Sequence, residues 1–203
     1  LEGEQNLVGV QKITQHTTAP QNLVWAESII VAGQDKRVTC YSRDGMLQQQ
    51  FDFANVKDEK EFSAISCSPS GQSVVVGSFN RMRVFNLNTR RSMWEEGDVY
   101  DIPNMYTVTS LAWKPDGSRL AVGTLCGGVD LYDTCIKRYR YKSEFEFTYV
   151  SSSQVIVKRL SLGTRIVLKS LYGYEILKVN VARDQYLVAF TSKTLLLGDL
   201  ESC

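Results

Sequence analysis

His16 is the only imidazole in the 203-residue chain. Any hydrolase-type site that uses a histidine base therefore has to be assembled around it. It stands in a poorly patterned stretch before Pro20, and the sequence predicts an exposed loop histidine rather than a catalytic base. The five cysteines, at 40, 67, 126, 135 and 203, include no CxxC pair. Zinc wants four N or S ligands at short spacing, so no metal or other cofactor is expected. An odd number of thiols without a framework spacing predicts free cysteines in a reduced, cytoplasmic compartment. Cys67 and Cys126 fall where a thiol acts as a small hydrophobe.

Three further groups carry potential chemistry. Gly123-Thr124-Leu125-Cys126-Gly127-Gly128 has the glycine content of a phosphate loop but lacks the following Gly-Lys-Ser/Thr, and a strand rather than a helix comes next. It reads as a β-hairpin turn. Carboxylates pair at Asp58-Glu59, Glu95-Glu96 and Glu144/Glu146, all on expected loops or solvent-facing edges. Acid/base catalysis needs two such groups in contrasting environments facing a cleft, so these read as solvated charge. The sharpest signal is Lys137-Arg138-Tyr139-Arg140-Tyr141-Lys142. Interleaved Arg and Tyr can stack bases or grip phosphates. At strand period Lys137, Tyr139 and Tyr141 share one face and Arg138, Arg140 and Lys142 the other. An outer strand or a protein-contact surface has the same appearance, and a protein contact is the expectation. Arg81, Arg83, Arg90 and Arg91 form a second basic group with the same two readings.

The elements that would position these residues recur. In Thr107 to Asp133, a strand ending at Trp113 meets the turn Lys114-Pro115-Asp116-Gly117, in which proline presets φ and glycine accepts the left-handed position. A small-residue strand at Leu120 to Gly123 and a third at Gly128 to Asp133 follow. Ser63 to Asn86 repeats this, with Ser68-Pro69-Ser70-Gly71 as its turn and Phe85-Asn86 in the place of Tyr132-Asp133. A third copy lies in Leu23 to Trp25, Ile29 to Gly33 and Arg37 to Tyr41. Gly33, Gly77 and Gly123 are separated by 44 and 46 residues, close to the roughly 40–45 of a four-stranded propeller blade. The expected fold is all-β, built of β-propeller blades.

Outer strands are expected at 47–53, 90–94 and 135–142, one per copy, with polar loops at 54–61 and 95–103. Leu7 to Thr14 alternates in polarity and reads as the outer strand of a preceding blade. From Glu144 the Pro-x-Gly turns disappear; strands are expected at 145–150, 154–160, 164–169 and within 186–199. The domain boundary is placed near Ser143, with 1–142 as the last blades of one propeller and 143–203 as the truncated start of a second. Three copies plus fragments cannot close a ring of 4 to 8 blades, so the chain reads as an excerpt of a longer protein. Its apolar content of 43%, charged content of 22% and net charge of +1 are ordinary for a globular protein and make no case for a nucleic-acid partner by bulk electrostatics. No run of 18 apolar residues occurs, so no transmembrane segment is expected. The first residues have neither an initiator Met nor a signal-peptide pattern.

The blades resemble WD repeats, in degenerate form. The Gly-His before the first strand and the closing Trp-Asp are missing, so the buried Asp–His–Ser–Trp network of that family is not expected in its usual version. More specifically, GQSVVVGSFNRMRVFN (71–86), RRSMWEE (90–96), LAWKPDGSRLAVGTLCGGVDLYD (111–133), QVIVKRLSLGTRIVLKSLYGYE (154–175) and TLLLGDL (194–200) resemble the N-terminal WD-repeat region of the intraflagellar transport protein 172 family. The resemblance implies tandem propellers and a non-enzymatic scaffold role. It also implies partners among the subunits of the intraflagellar transport B complex, no small-molecule substrate, and a location in the cilium, basal body and cytoplasm. It supplies no catalytic or ligand-binding residue. The alternative is a propeller that binds nucleic acid or anionic lipid through its basic strands.

Overall fold

The computed structural model describes residues 12–200, which hold eighteen strands in five antiparallel sheets and no helix. The first sheet runs β1 (Pro20–Trp25), β2 (Ile29–Gly33), β3 (Arg37–Tyr41), β4 (Leu47–Asp52). The second runs β5 (Ala64–Cys67), β6 (Ser73–Gly77), β7 (Arg81–Asn88), β8 (Met93–Asp101). The third has three strands, β9 (Val108–Trp113), β10 (Arg119–Thr124) and β11 (Val129–Asp133). The expected turns form as their chemistry requires. Gly71 and Gly117 take φ of 73° and 71°, and their amides donate to Ser68 and Lys114 carbonyls at 2.9 and 2.8 Å. Residues 124–128 make the expected hairpin turn, with Gly127 at φ 84° and the Gly127 amide on the Thr124 carbonyl at 3.0 Å.

The sheets pack side by side through their first strands, β1 against β5 and β5 against β9. Asn22 Nδ2 donates to the Ser63 carbonyl at 2.7 Å and Ser63 Oγ to the Val108 carbonyl at 2.6 Å, so one hydrogen-bond chain crosses all three sheets. Ile30, Val38, Cys40, Phe53, Val74, Phe85 and Trp94 bury between the first and second sheets. Val75, Met82, Val108, Leu120 and Val122 bury between the second and third. Gly77 marks the closest approach: a Cβ there would lie 2.7 Å from Val108 Cβ and Cγ1. Val108 is buried and β-branched and cannot swing aside, so Gly77→Ala is expected to cost about 1–3 kcal/mol by overpacking. At Gly123 a new Cβ meets the Ser110 hydroxyl, which can rotate away, so Gly123→Ala is expected to be milder. Thermal melts of the two variants side by side check the difference.

Beyond Asp133 the chain departs from expectation. Residues 135–142 do not close the third sheet. β12 (Lys137–Tyr141) instead opens a fourth, in the order β12, β13 (Phe145–Ser151), β14 (Gln154–Arg159), β15 (Arg165–Lys169). The physical reason lies at both ends of the strand. Lys142 and Ser143 adopt positive φ of 50° and 58°, which turns the chain back as a hairpin, and the Ile136 amide is taken by the Tyr149 carbonyl at 2.8 Å. Ser143 thus sits inside a hairpin of one sheet. The fifth sheet runs β16 (Ile176–Ala182), β17 (Tyr186–Thr191), β18 (Leu195–Asp199). The sequence reading missed β16, although Ile176, Val179 and Val181 enter the core that the fourth and fifth sheets share.

Two loop expectations also change. β8 continues to Asp101, through the loop expected at 95–103, because the eight-residue β7 offers pairing along its whole length, from Arg81↔Asp101 to Asn88↔Met93. The strand expected at 7–14 lies largely outside the described residues; residues 12–14 carry no regular structure.

Candidate functional site

The face of β12 that was read as a base-stacking surface is half core. Tyr139 and Tyr141 pack onto the cluster between the fourth and fifth sheets. Their rings lie 5.3 and 5.7 Å from that of Phe147, and Tyr139 is stacked on Tyr149 at 6.0 Å. Burial, with help from the Tyr139 hydroxyl, pushes the Tyr149 phenol above its ordinary range. Lys137 and Lys142 lay their ammonium groups over the Tyr139 and Tyr141 rings, at 5.3 and 5.6 Å, and Lys142 reaches Asp184 at 3.6 Å. Arg138 and Arg140 point the other way and are exposed. Register carries their face across the sheet: Arg140 opposes Glu146, and Glu146 opposes Lys158. The exposed Lys158 therefore joins the two arginines. Its place in the alternation of QVIVKR was the signal that could have found it. The surface that remains is a small charged face backed by an aromatic core, without an exposed stacking ring on β12.

The second basic group divides: Arg90 and Arg91 are exposed and reach Glu175 and Glu95 at 2.9 and 3.9 Å, whereas Arg81 and Arg83 are turned into the protein. Arg83 has a side chain only 7% exposed, and Glu59, read as solvated, has a side chain 0% exposed. The Arg83 guanidinium donates to Glu59 Oε2 through Nη2 at 2.5 Å and Nε at 2.7 Å, and to Glu96 Oε1 through Nη1 at 2.5 Å. Ser78 Oγ donates to Glu59 Oε1 at 2.8 Å, and Arg81 reaches both Glu59, at 3.2 Å, and Asp101. The Phe53 ring, 4.1 Å beneath the Arg83 guanidinium, closes the other side. Glu59 thereby fastens the 54–61 loop to the second sheet. Buried charge of this kind can tune catalytic groups. Here every member is answered by a partner, and the arrangement is structural.

His16 is likewise not exposed. Its side chain is 8% exposed; Nδ1 lies 2.7 Å from the Tyr41 hydroxyl and Nε2 3.6 Å from Asp35 Oδ2. Burial first, then the Asp35 charge, raises the Tyr41 phenol above its usual range. Asp35 comes from the β2–β3 turn and Tyr41 from the end of β3, so the His16–Tyr41 hydrogen bond, with Asp35 close by, pins residues before β1 onto the first sheet. The group holds no nucleophile. Burial pushes the Cys40 and Cys67 thiols to about 12 and about 11, which keeps them protonated and inert. Cys126 and Cys135 are also free thiols, and no His/Cys/Asp/Glu group among the described residues has the geometry of a metal site.

The third and fourth sheets meet at Asp116. Its Oδ2 receives Arg165 Nη2 at 2.7 Å and Lys114 Nζ at 3.0 Å, while Oδ1 accepts from Ser118 Oγ and the Ser118 amide at 2.5 and 2.9 Å. Burial pushes this carboxyl up, but the two Ser118 donors, Lys114 and Arg165 together hold it below its ordinary value. A group depressed in the folded state stabilises above its unfolded pKa, near 4 for Asp, and loses that contribution as pH falls through the lower folded value. The stability gap between the native protein and Asp116→Asn is therefore expected to be full at neutral pH and to close below about pH 4. Thermal midpoints across that range measure it.

Comparisons with known proteins agree with this architecture. Residues 82–151 match the Anaphase-promoting complex subunit 4 WD40 domain family. Sqt1 of Saccharomyces cerevisiae shares the fold, with a TM-score of 0.50 at 15% identity, covering 91% of this chain and 61% of that one. Intraflagellar transport protein 172 homologues of Danio rerio and Homo sapiens are 57% and 54% identical over 94% of this chain, and that of Chlamydomonas reinhardtii is 47% identical over 95%. The chain spans 11% of the length of each of these relatives. Over that span the chain is made of WD-repeat propeller blades and belongs to the intraflagellar transport protein 172 family.

Proposed function

We propose that this chain is a non-enzymatic scaffold portion of a ciliary intraflagellar transport complex. It contributes protein–protein contacts to train assembly, for building and maintaining the cilium or flagellum. The observation that carries the reading is the kinship at 57% identity along nearly the whole chain. Its partners are other subunits of the intraflagellar transport B complex, and its stations are the cilium, the basal body and the cytoplasm. In this reading the first three sheets belong to one propeller and β12 to β18 to a second. The change of sheet at 134–136 supports a division in this part of the chain. Arg138, Arg140 and Lys158 form a candidate contact face. Binding of nucleic acid or anionic lipid there is the weaker reading, because the tyrosines that would stack on bases are turned into the core.

The test is recovery of the tagged full-length protein from ciliated cells, with and without nuclease, and identification of its companions by mass spectrometry. A nuclease-resistant set of transport subunits is expected. Companions lost with nuclease, in the absence of transport subunits, would sink the scaffold reading. In the same experiment the double variant Arg138→Glu, Arg140→Glu is expected to fold normally, since both side chains are exposed, and to lose at least one companion. An unchanged set removes this face from the contact surfaces.

A further inference from the structure

β12 is an edge strand of the fourth sheet. It pairs with β13 on one side and with no described strand on the other. Arg138 and Arg140 stand on its exposed face, and neither guanidinium has an ion-pair partner among the described residues. The chain then reaches Ser143, exposed at the tip of the β12–β13 hairpin, with Lys142 just before it. Arginines thus lie five and three residues ahead of an exposed hydroxyl, and a lysine one residue ahead.

The tip is poorly suited to its own turn. Lys142 and Ser143 hold φ of 50° and 58°. A two-residue hairpin turn with both φ positive favours Asn-Gly or Gly-Gly, because a Cβ in the left-handed region crowds the following carbonyl. Neither residue here is Gly or Asn. What fastens the tip is slight: the Glu144 amide bonds the Tyr141 carbonyl at 3.2 Å, and the half-exposed Lys142 ammonium reaches Asp184 at 3.6 Å. Strain with few contacts places residues 142–143 among the segments that open first. On the C-terminal side the chain is held, since the Glu144 carbonyl accepts the Leu160 amide at 2.7 Å and Phe145 is fully buried. A groove can therefore read Arg138 and Arg140 in place, on a strand that is already extended with its outer edge unpaired, while only the tip rearranges.

We propose that Ser143 is a phosphorylation site, modified with ATP and Mg²⁺ by a protein kinase whose acidic peptide groove pairs with Arg138 and Arg140. Charge patterns of this kind set the choice between kinase and substrate, and forked guanidinium–carboxylate pairing adds register to the attraction. Ser143 Oγ attacks the γ-phosphorus of ATP. The bond from that phosphorus to the β,γ-bridging oxygen breaks, ADP departs, and the hydroxyl proton passes to the catalytic carboxylate of the kinase. The product carries about two negative charges at neutral pH, next to Lys142 and close in the chain to Arg140, and it competes with Asp184 for the Lys142 ammonium. A consequence rests on the reading of Arg138, Arg140 and Lys158 as a contact face: the phosphate offsets much of the positive charge of that face and releases the partner.

Incubation of the full-length protein with Mg-ATP and a kinase that requires arginines at those two places tests the site, with peptide mass spectrometry as the readout. Phosphate is expected on Ser143, and none on the corresponding peptide of Ser143→Gly, a replacement that suits the positive φ. Arg138→Ala, which keeps the hydroxyl, is expected to slow the modification about tenfold through loss of a charge-assisted hydrogen bond. A full-length protein left bare at Ser143, while a synthetic peptide of residues 136–146 is phosphorylated, overturns the proposal. An unchanged rate for Arg138→Ala overturns the assignment of the kinase. Recovery of companions from ciliated cells tests the consequence separately. The phosphorylated protein is expected to lose the companion that the Arg138→Glu, Arg140→Glu variant loses. Loss by the variant with retention by the phosphorylated protein overturns the regulatory role, whereas no loss by either overturns the contact face and leaves the phosphorylation site standing.

Discussion

Replacing Glu59 with alanine lowers the unfolding free energy by about 3–5 kcal/mol, the cost of removing one partner from a buried ion pair. The carboxylate is fully enclosed, and two guanidinium groups, those of Arg83 and Arg81, converge on its Oε2. Without it, Arg83 keeps Glu96, whose side chain is 35% exposed. The Nε and Nη2 donors, however, are left facing Phe53 and the Ser78 hydroxyl in a space with little water. The charge cannot be shed, because a guanidinium does not deprotonate in proteins. Glu59→Gln keeps an acceptor for Ser78 and an oxygen near Arg83, and so is expected to cost less than the alanine. Lys60→Ala, one residue away and exposed, is expected to lie within about 0.5 kcal/mol of the parent. Urea unfolding of the three variants decides the matter. Equal, small losses for Glu59→Ala and Lys60→Ala would mean that the cluster contributes nothing net.

Truncating Trp94 to alanine is expected to cost a similar amount, about 3–5 kcal/mol, for a different reason. The indole fills the junction of the first two sheets, in contact with a cluster that includes Phe53, Val74 and Phe85. Rigid strands on both sides limit how far the cavity can collapse. The backbone at Trp94 is gripped as well: its amide donates to Gln49 Oε1 at 2.7 Å and its carbonyl accepts from Gln49 Nε2 at 3.0 Å. Its indole Nε1, by contrast, is buried without a hydrogen-bond partner. Trp94→Phe discards that unanswered donor with only part of the volume, and its loss is expected to be a fraction of the alanine's. Denaturant midpoints separate the two; equal losses would place the energy in the indole N–H instead of in packing. Trp113, at the end of β9, lines the cavity beside Leu120 and Tyr132 and is only partly buried. Its truncation is expected to cost less.

Local chemistry made the repeat legible. The Pro-x-Gly turns at 68–71 and 114–117 require a glycine at positive φ, and the apolar triplet Val74-Val75-Val76 belongs to a strand buried on both faces. Such requirements act over a few residues and are written in the order of the chain. The glycines at 77 and 123 recur because each blade needs a close approach at the same place, which fixed the blade length before any coordinates. The family resemblance could be recognised from long runs within these same segments.

Sheet membership and charge environment were decided elsewhere. Lys137–Tyr141 alternates as an outer strand of the third sheet and as a first strand of the fourth alike. Only the competition between an open β11 edge and a hairpin partner 145–151 settles which it joins. Asp58 and Glu59 are neighbours with the same local pattern, yet one is solvated and the other enclosed, because Arg83 waits 24 residues further along. His16 meets Asp35 and Tyr41 in the same way, across 19 and 25 residues. The sequence by itself determined the blades and their period, since turns and alternation are short-range. Only the tertiary structure decided which strands share a sheet and which charges are buried, because those depend on partners far along the chain.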